Sequence, residues 1–332
     1  MPRKVTIQDI SRAAGTSPST VSRVLTGNAG VRPEKREAVE AAIRRLNYRP
    51  SHIARGLKTN ITFTVGLLLN DITNTFYSTV ARGVEEEANR HGYSLVLCNT
   101  SEEPERELHY LEVLQDKHVD GIILGPTGQN EPFICDLARR KPLVQVDRRI
   151  NADITSVVVD NEDSAYRATR LLIDRGHRRI GVIKWHTKIV TIEQRYAGYE
   201  RALGEAGLPI DPALVVEVPS LSSAQAAEYT QRLLQTSPPP TALFALNNQI
   251  GLGALGAIQR LKLHIPDDVA LIVFDDAEYF AVIMPSITAI AQPAFQMGEQ
   301  AMRLLAEQIE HAPNYEPTQI VLQTELMMRE SI

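Results

Sequence analysis

The sequence predicts an α/β protein with a small all-α domain at the N-terminus and a larger body of doubly wound parallel sheets. Two helical patterns flank a glycine within the first 25 residues, and from residue 64 onward short apolar runs alternate with longer amphipathic segments. The first 60 residues hold 12 Lys and Arg against 4 Asp and Glu, a formal charge of +8, and the rest of the chain carries −13. This charge division indicates a basic module that seeks a polyanion and an acidic body that does not.

The stretch TIQDISRAAGTSPSTVSRVL predicts a helix-turn-helix. Thr6 is placed to cap the first helix, with Asp9 as the acidic member of a capping box, and Gly15 is suited to end it. Ser17 is placed to cap a second helix that starts at Pro18, a favoured position for proline. A connection of about three residues through glycine is typical of this motif.

A third helix is predicted from near Pro33 to Leu46, which completes a three-helix bundle. The expected apolar contacts come from Ile10, Ala14, Val21, Leu25, Val39, Ile43 and Leu46.

The second helix is expected to present short hydroxyls and one guanidinium outward, side chains sized for phosphate oxygens and base edges in a major groove. They are Ser17, Pro18, Ser19, Thr20, Ser22 and Arg23. Arg23 has the geometry to bind a guanine bidentately. The alternative is a solvated bundle whose basic residues only aid solubility.

The linker NYRPSHIARGLKTN predicts a helix of barely two turns, capped by Ser51 and weakened by Gly56. Such a segment is expected to fold on its target, and Leu57 then becomes a candidate wedge between base steps in the minor groove. The alternative is that Leu57 packs on the body.

The body is expected to form two lobes, because its apolar strands are too many for one ordinary sheet. These runs are TVGLLL, SLVLCN, GIILGP, LVQVD, SVVVD, RIGVI, TALFAL and VALIVFD. The predicted helices include 80–91, 165–175 and 194–206. The strand before Asp160 leads to one crossing between lobes, and AIAQPAF around Pro293 marks a second, because proline cannot sit inside a central strand.

The predicted domains are a DNA-binding headpiece at 1–48, a hinge at 49–61 and a body at 62–332. Within the body we expect a first lobe of approximately 62–160 and 293–318, and a second of approximately 161–292 and 319–332.

Other classes of protein have weak support in the sequence. GLGALG from Gly251 to Gly256 matches the dinucleotide fingerprint with Asp275 about twenty residues later, but four residues separate the preceding strand from the first glycine, which moves the glycines into the helix. The histidines are scattered, and Cys98 and Cys135 have no metal or redox spacing, so we expect no enzyme activity, cofactor or metal. A secreted solute receptor is a further alternative, against which stand the absence of a signal-peptide core and the basic headpiece. No membrane segment is predicted, and the expected location is the cytoplasm.

The ordered motifs resemble the lactose-repressor and galactose-repressor family of bacterial transcriptional regulators. The opening stretch and hinge are followed by VGLLLNDITNTFY, DGIILGP, VDR, VVVDN, RGHRRIGVI, RYAGYERAL, TALFALNN, DDVALIVFDD and ITAIAQP, so the resemblance spans essentially the whole chain. It implies a homodimer bound to a pseudo-palindromic operator, and a body similar to a periplasmic sugar-binding protein.

The resemblance and the helix pattern together give the expected DNA-contacting residues. These are Thr6, Ser17, Pro18, Ser19, Thr20, Ser22, Arg23, Ser51, His52, Ala54, Leu57 and Lys58. We expect the helix from Phe295 to His311 to supply much of the dimer contact.

The ligand is expected in the crevice between lobes, beyond the carboxyl ends of the strands, where carboxylates and amides suit sugar hydroxyls. The candidate residues are Asp71, Phe76, Asp147, Asp160, Trp185, Arg195, Asn247 and Asp275. Phe76 is placed to stack on a ring, and Arg195 matches a family arginine that reaches two ligand oxygens. Asp147 and Asp160 have an alternative role as caps or hinge brackets, and Trp185 as a packing residue.

Three departures from the family pattern leave the effector open. Lys184, Trp185 and His186 replace a common Gly-Gly-Pro, Val190 falls where a serine or threonine is frequent, and Asn248 replaces a usual aspartate. A sugar or sugar derivative is expected. The alternative is a nucleobase, nucleoside or phosphorylated metabolite that acts as corepressor, with Lys184 and Lys188 favouring an anion.

Overall fold

The chain forms two compact units, Met1–Phe63 and Thr64–Ile332, which are considered separately. The computed structural model describes residues 5–25, 30–46, 48, 61–185, 189–311 and 315–332. In the described part of the chain, no helix is both long and apolar enough to cross a membrane.

The described residues of the headpiece form three helices, in agreement with the sequence-based prediction. They are α1 (Ile7–Ala13), α2 (Pro18–Leu25) and α3 (Pro33–Arg45). The Thr6 hydroxyl accepts the backbone N–H of Asp9 while the Asp9 carboxylate accepts the backbone N–H of Thr6, so the predicted capping box is confirmed. Gly15 follows α1 with φ +61°, a conformation that favours glycine.

A small apolar core holds the three helices together. Ile10, Val21 and Val39 are completely buried at its centre, and Ala42 is nearly so. Because this core contains few large side chains, the headpiece depends on caps and short turns as well as on burial.

The first lobe of the body is built on a parallel sheet of six described strands in the order β11-β5-β4-β3-β1-β2. The strands are β1 (Thr64–Leu69), β2 (Ser94–Asn99), β3 (Gly121–Leu124), β4 (Leu143–Val146), β5 (Ser156–Val159) and β11 (Gln319–Leu322). Its helices are α4 (Thr75–Arg90), α5 (Pro104–Asp116), α6 (Glu131–Ala138) and α12 (Ala294–His311). Residues of α4 and α12 pack on one face, and those of α5 and α6 on the other.

The second lobe repeats this arrangement with strand order β12-β10-β9-β8-β6-β7. The strands are β6 (Ile180–Trp185), β7 (Val215–Val218), β8 (Ala242–Ala245), β9 (Ala270–Phe274), β10 (Thr288–Ala291) and β12 (Glu325–Met327). The helices are α7 (Asn161–Asp174), α8 (Val190–Glu205), α9 (Ser223–Leu234), α10 (Asn248–Arg260) and α11 (Glu278–Val282). Its strands are parallel except β12, which runs antiparallel to β10.

The chain crosses between the lobes three times. The two predicted crossings are present, after Val159 and around Pro293. The prediction that 319–332 belongs to the second lobe is wrong for 319–322, because Gln319–Leu322 pairs in parallel with Ser156–Val159 of the first sheet. The third crossing therefore follows Leu322.

Three long helices begin earlier than the sequence indicates, at Thr75, Asn161 and Val190. Asn74 and Asp160 cap the first two, since each side-chain oxygen accepts a backbone N–H of the first turn. These first turns lie beside the crevice between the lobes, so the added residues matter for the site.

The helix α12 is largely committed to the core of its own lobe. Met297, Ala301, Met302 and Leu305 are fully buried against the sheet and α4. Its exposed positions are polar, namely Gln296, Arg303, Glu307, Glu310 and His311. The expectation that this helix supplies much of the dimer contact therefore has little apolar surface to support it, since Phe295 and Ile309 are its only half-buried large apolar residues.

The glycines of GLGALG lie within α10, and two of them, Gly251 and Gly253, permit the close packing that the sequence predicts. A Cβ on Gly253 would lie 2.5 Å from the Cβ of Ala226 on α9, and one on Gly251 would lie 2.5 Å from Val273 on β9. Glycines inside the helix cannot form the phosphate-binding turn of a dinucleotide site. Their spacing thus serves helix packing.

We predict that Gly253→Ala lowers the free energy of unfolding of the body by about 1–3 kcal/mol, because the added methyl group overlaps α9. The matched control is Gly204→Ala in α8, where a Cβ meets nothing within 4 Å. Alanine there is expected to be neutral or to stabilise by up to about 1 kcal/mol. Urea denaturation measures both variants, and equal effects would contradict the packing role of Gly253.

Candidate nucleic-acid interface and ligand cleft

The helix α2 exposes a polar face. Ser17, Pro18, Ser19 and Arg23 are exposed and Thr20 and Ser22 half-buried, while Val21 and Val24 on the other side are buried. Ser17 Oγ lies 2.8 Å from Ser19 Oγ and 2.9 Å from Thr20 Oγ1, so three hydroxyls form one cluster at the N-terminus of the helix. Such a face, with a guanidinium one turn further on, offers donors to phosphates and base edges.

The remaining expected DNA contacts are Thr6 and five residues of the hinge. The Thr6 hydroxyl is engaged in the cap of α1, where it also donates to an Asp9 carboxylate oxygen at 2.7 Å. The expected hinge contacts lie outside the described residues. They are Ser51, His52, Ala54, Leu57 and Lys58.

In the body, seven of the eight candidate ligand residues line one crevice between the lobes. The first lobe contributes Asp71, Asn74, Phe76, Tyr77, Glu102, Asp147 and Arg148, and the second lobe Trp185, Thr191, Ile192, Arg195, Leu221, Asn247, Asp275 and Gln292. We refer to this set as the cleft. Most of its members follow the carboxyl end of a strand or begin the next helix, as expected for open α/β sheets.

Asp160 lies elsewhere. It lines an adjacent groove that includes Asp147, Arg149 and Gln194, and its carboxylate accepts the backbone N–H of Asp163 at 2.9 Å. Of the two roles open for Asp160, the structure shows the helix cap at the first crossing.

Arg195 organises the wall formed by the second lobe. Its guanidinium donates to Asn161 Oδ1 at 2.9 Å, to the carbonyl of Leu246 at 2.8 Å and to Asp275 Oδ2 at 3.2 Å. The same group stacks 3.7 Å from the ring centre of Phe274, and the residue is 3% exposed. A cation so deeply buried needs these partners, because it has lost its hydration.

The Asp275 carboxylate accepts hydrogen bonds from three side chains. Besides Arg195, it accepts Asn247 Nδ2 at 3.2 Å and Gln292 Nε2 at 2.6 Å. The Gln292 Oε1 atom is buried and has no partner among the described residues. Unpaired polar atoms are uncommon in protein interiors and are concentrated where a ligand or water binds.

The wall formed by the first lobe is a buried network of charges. Glu102 accepts two hydrogen bonds from the Arg148 guanidinium, at 2.6 and 2.8 Å, and one from Asn70 Nδ2 at 2.8 Å. The Tyr77 hydroxyl donates to Asp147 Oδ2 at 2.9 Å. Arg148 lies 3.4 Å from the same Asp147 oxygen, so carboxylates occupy both edges of its guanidinium.

Burial controls the protonation of this network. It raises the pKa of Asp147, against the opposing effects of Arg148, Arg195 and the Tyr77 hydrogen bond. Burial also raises the pKa of Tyr77 well above its ordinary value, which keeps the phenol a donor at neutral pH.

Backbone strain is concentrated around the cleft. Ser101, Glu102, Asp147 and Asp275 have φ between +54° and +70°, the left-handed region that favours glycine. Such conformations cost free energy and are enriched at binding sites, where they aim side chains that a relaxed backbone would direct elsewhere.

Aromatic side chains from the two lobes complete the lining. Phe76 is 8% exposed, and Trp185 is half-buried with its indole N–H 3.4 Å from the carbonyl of Pro219. Trp185 thus contacts both the cleft and the core of its lobe. Lys184 does not support the expectation of an anion, because it lies outside the lining and its ammonium is 3.2 Å from Glu217 and 3.5 Å from Glu193. Lys188, the other lysine of that expectation, lies outside the described residues, as does His186.

The cleft is closed. The space that its side chains enclose measures about 30 Å³. This volume holds one or two water molecules, so a ligand the size of a sugar requires the lobes to move apart.

Comparison with known families finds separate matches for the headpiece and for the C-terminal part of the body. Residues 6–51 match the family "Bacterial regulatory proteins, lacI family", and residues 169–332 match "Periplasmic binding protein-like domain". Catabolite control protein A of Priestia megaterium is 36% identical over 306 residues, 91% of this chain and 92% of that protein.

The chain belongs to the lacI family of bacterial regulatory proteins. The HTH-type transcriptional repressor PurR of Haemophilus influenzae is also 36% identical and matches over 98% of both chains. The ribose operon repressor of Halalkalibacterium halodurans is 36% identical over 96% of both. A lacI-family member with this headpiece and body is a DNA-binding transcriptional regulator with an effector-binding domain, as the sequence predicted.

Solved structures share the whole architecture. A transcriptional regulator CelR–cellobiose complex is similar with TM-score 0.74 and 30% identity, over 99% of this chain and all of that one. The lac repressor dimer bound to operator and the anti-inducer ONPF has TM-score 0.89 over 99% of both chains, at 23% identity, which establishes a common fold.

Sequence reasoning missed several members of the lacI-family cleft. Asn74, Tyr77, Glu102, Arg148 and Gln292 all lie in it. Each of the five lies within three residues of a strand end or at the start of a helix, a signal that was available in the sequence. The hydroxyl sought at Val190 is present at the neighbouring Thr191.

We predict that Asp147→Asn increases the free energy of unfolding at pH 7. The pKa of this carboxyl is higher in the folded than in the unfolded state, so its ionised form lowers the free energy of unfolding at pH values above the folded pKa. This destabilisation disappears as the pH falls below the unfolded pKa of about 3.9. The gain should therefore shrink as the pH is lowered toward 4. Urea denaturation at several pH values measures it, with the exposed Asp116→Asn as control. A lower free energy of unfolding for Asp147→Asn than for the wild type at pH 7 would contradict the prediction.

Proposed function

We propose that this lacI-family regulator binds a pseudo-palindromic operator as a homodimer and responds to a neutral sugar or sugar derivative in the cleft. We choose a neutral effector because both guanidiniums of the cleft already form ion pairs with carboxylates. Arg148 pairs with Glu102, and Arg195 pairs with Asp275.

The DNA-binding part of the proposal uses the exposed face of α2. Its hydroxyl cluster and Arg23 are the groups expected to enter the major groove. The hinge residues Ser51, His52, Ala54 and Lys58 are proposed to contact the duplex backbone, and Leu57 to enter the minor groove. Thr6 is proposed to place the N-terminus of α1 near a phosphate rather than to bind bases, since its hydroxyl caps that helix.

The dimer is supported by exposed apolar side chains on the second lobe. Val282 is 78% exposed and Met284 97%, values unusual for large apolar residues. Leu252 on α10 is 41% exposed, and its neighbour Gly251 packs beside Phe280 of α11. We propose that this patch meets the same patch of a second copy, as in an isologous interface.

The charge of the cleft favours a neutral ligand. Its lining holds four carboxylates, on Asp71, Glu102, Asp147 and Asp275, against two arginines. A phosphate or carboxylate would have to displace a buried carboxylate from its arginine and then remain beside the displaced charge. Sugar hydroxyls, by contrast, donate to carboxylates and accept from amides without adding charge, and Phe76 and Trp185 offer ring faces.

The names of two similar proteins also support a sugar effector. One relative of the full chain is named a ribose operon repressor, and one similar structure contains cellobiose. A nucleobase remains the second candidate, because the two aromatic rings and the amides of Asn247 and Gln292 also suit a planar heterocycle. Asp160 is proposed to bracket the hinge rather than to bind the ligand.

The effector is proposed to act by changing the lobe arrangement, which alters the separation of the two hinges in the dimer and hence their folding on DNA. A ligand shifts this equilibrium only by its differential affinity for the two arrangements. We propose that the protein acts in the cytoplasm, where its DNA target lies, without catalytic activity and without a cofactor. No cluster of metal-binding side chains occurs among the residues that the structure describes.

We predict that Arg23→Ala weakens binding to the selected operator by about 1–3 kcal/mol and relaxes preference at one base position. Lys35→Ala on α3, also exposed, is the matched control and should affect operator and random duplex alike. The operator is obtained by selection from a random duplex library, and fluorescence anisotropy at fixed salt measures both affinities. Equal losses for the two variants on both duplexes would overturn the role of Arg23.

We predict that neutral sugars, and not their phosphate esters, raise the melting temperature of the protein. A ligand at about 100 times its Kd adds about 2.7 kcal/mol to the stability of the folded state. Thermal-shift screening should compare matched pairs such as ribose and ribose 5-phosphate, together with nucleobases. Asn247→Ala should abolish the shift of any active compound. A phosphate ester that stabilises more than its parent sugar would refute the assignment of a neutral effector.

A further inference from the structure

A pair of buried asparagines joins the two lobes at the edge of the cleft. Asn74 at the start of α4 and Asn248 at the start of α10 exchange two hydrogen bonds, Asn74 Nδ2 to Asn248 Oδ1 at 3.2 Å and Asn248 Nδ2 to Asn74 Oδ1 at 3.0 Å. Their exposures are 4% and 3%. A reciprocal amide pair of this kind satisfies each donor with an acceptor across the lobe boundary.

The orientation of the Asn74 amide is set by its own lobe. Asn74 Oδ1 also accepts the backbone N–H of Phe76 at 3.0 Å, which caps α4. Rotating the amide would place an NH₂ group against that N–H and remove the cap. Asn74 therefore always offers Nδ2 as donor and Oδ1 as acceptor to the second lobe, and the residue opposite must supply both an acceptor and a donor.

Asparagine at 248 meets this demand and an aspartate does not. A carboxylate accepts from Asn74 Nδ2, but it has no hydrogen for Asn74 Oδ1, so two oxygens would face each other at the boundary. It would also bring a charge into a site that is 97% buried in the closed form, beside a cleft that already holds more carboxylates than arginines.

We propose that Asn74 and Asn248 form a clasp that stabilises the closed arrangement of the two lobes. The clasp is neutral, so closure needs no ligand charge and no proton. Because the enclosed space of about 30 Å³ is too small for a sugar, the clasp must open before the effector enters. Identifying the entering molecule as an effector depends on the proposed function, whereas the clasp itself does not.

The clasp shares one helical turn with the ligand-binding wall. Asn74 caps the turn that carries Phe76 and Tyr77, and Tyr77 donates to Asp147 at the back of the cleft. On the other lobe, Asn248 directly follows Asn247, which bonds to Asp275. A change of contact at the clasp is therefore transmitted to both walls through neighbouring residues.

Asn248→Asp tests the clasp without any ligand. Trp185 is the single tryptophan of the chain and lines the cleft, so its fluorescence reports cleft opening. Losing one hydrogen bond and gaining a repulsive contact is expected to move the ratio of open to closed forms about five- to tenfold toward open. Acrylamide, a neutral quencher, should then quench Trp185 in the full-length protein more strongly than in the wild type, and small-angle X-ray scattering should show a larger radius of gyration.

Gln259→Glu is the matched control, because it makes the same amide-to-carboxylate change on α10 at an exposed position away from the cleft. It should leave quenching unchanged. Asn248→Ala removes both hydrogen bonds without adding charge and should open the cleft as well, which provides a second test if the aspartate variant folds poorly by circular dichroism. Wild-type quenching and radius of gyration in a folded Asn248→Asp or Asn248→Ala protein would overturn the clasp. If these variants open the cleft but no sugar raises the melting temperature, the proposed effector is rejected and the clasp is retained.

Discussion

The buried guanidinium of Arg195 is the interaction on which the ligand-binding body most depends. It bonds to residues that begin α7, end β8 and end β9, and it stacks on Phe274. A buried cation without these partners would be strongly destabilising, so the strand ends must hold their positions to satisfy it. The same requirement preorganises Asp275 and Asn247 at the mouth of the cleft.

A second charge network in the first lobe balances this one. Glu102, Arg148, Tyr77 and Asp147 satisfy each other within a wall that has a strained backbone at Glu102 and Asp147. In both walls, therefore, each guanidinium is already paired with a carboxylate. A neutral, hydroxyl-rich ligand can join such networks, whereas an anion must dismantle one of them.

Closure and ligand binding compete for the same space. The side chains of the cleft leave a space of about 30 Å³, and the two asparagine amides pair across the boundary at its edge. Regulation in such a molecule is a matter of relative free energies, because a ligand shifts the lobe equilibrium by the difference between its affinities for the two arrangements. A clasp worth one or two hydrogen bonds is small enough for a ligand to overcome.

The headpiece, unlike the body, is specified mainly by interactions between residues close in sequence. Its core is small and its helix ends are capped locally, at Thr6 and Ser17, so most of its structure is specified by neighbouring residues. The short capped helices leave the hydroxyls of α2 and Arg23 on the surface. Local specification is also why its three helices were predictable almost to the residue.

The sequence by itself determined the helices of the headpiece, the strands of both sheets that consist of continuous apolar residues, and the candidate residues that follow those strands. These features depend on local periodicity, caps and the rule that ligands bind beyond the carboxyl ends of parallel strands. The strands β7, β10, β11 and β12 and the third crossing were decided by tertiary pairing, because it is their partners in the two sheets that define these segments as strands. Tertiary structure also decided that Lys184 forms an ion pair with Glu217 outside the cleft, and that Asn74 meets Asn248 from 174 positions away. Such contacts depend on where the folded chain brings distant side chains together, and no local property of the sequence records that.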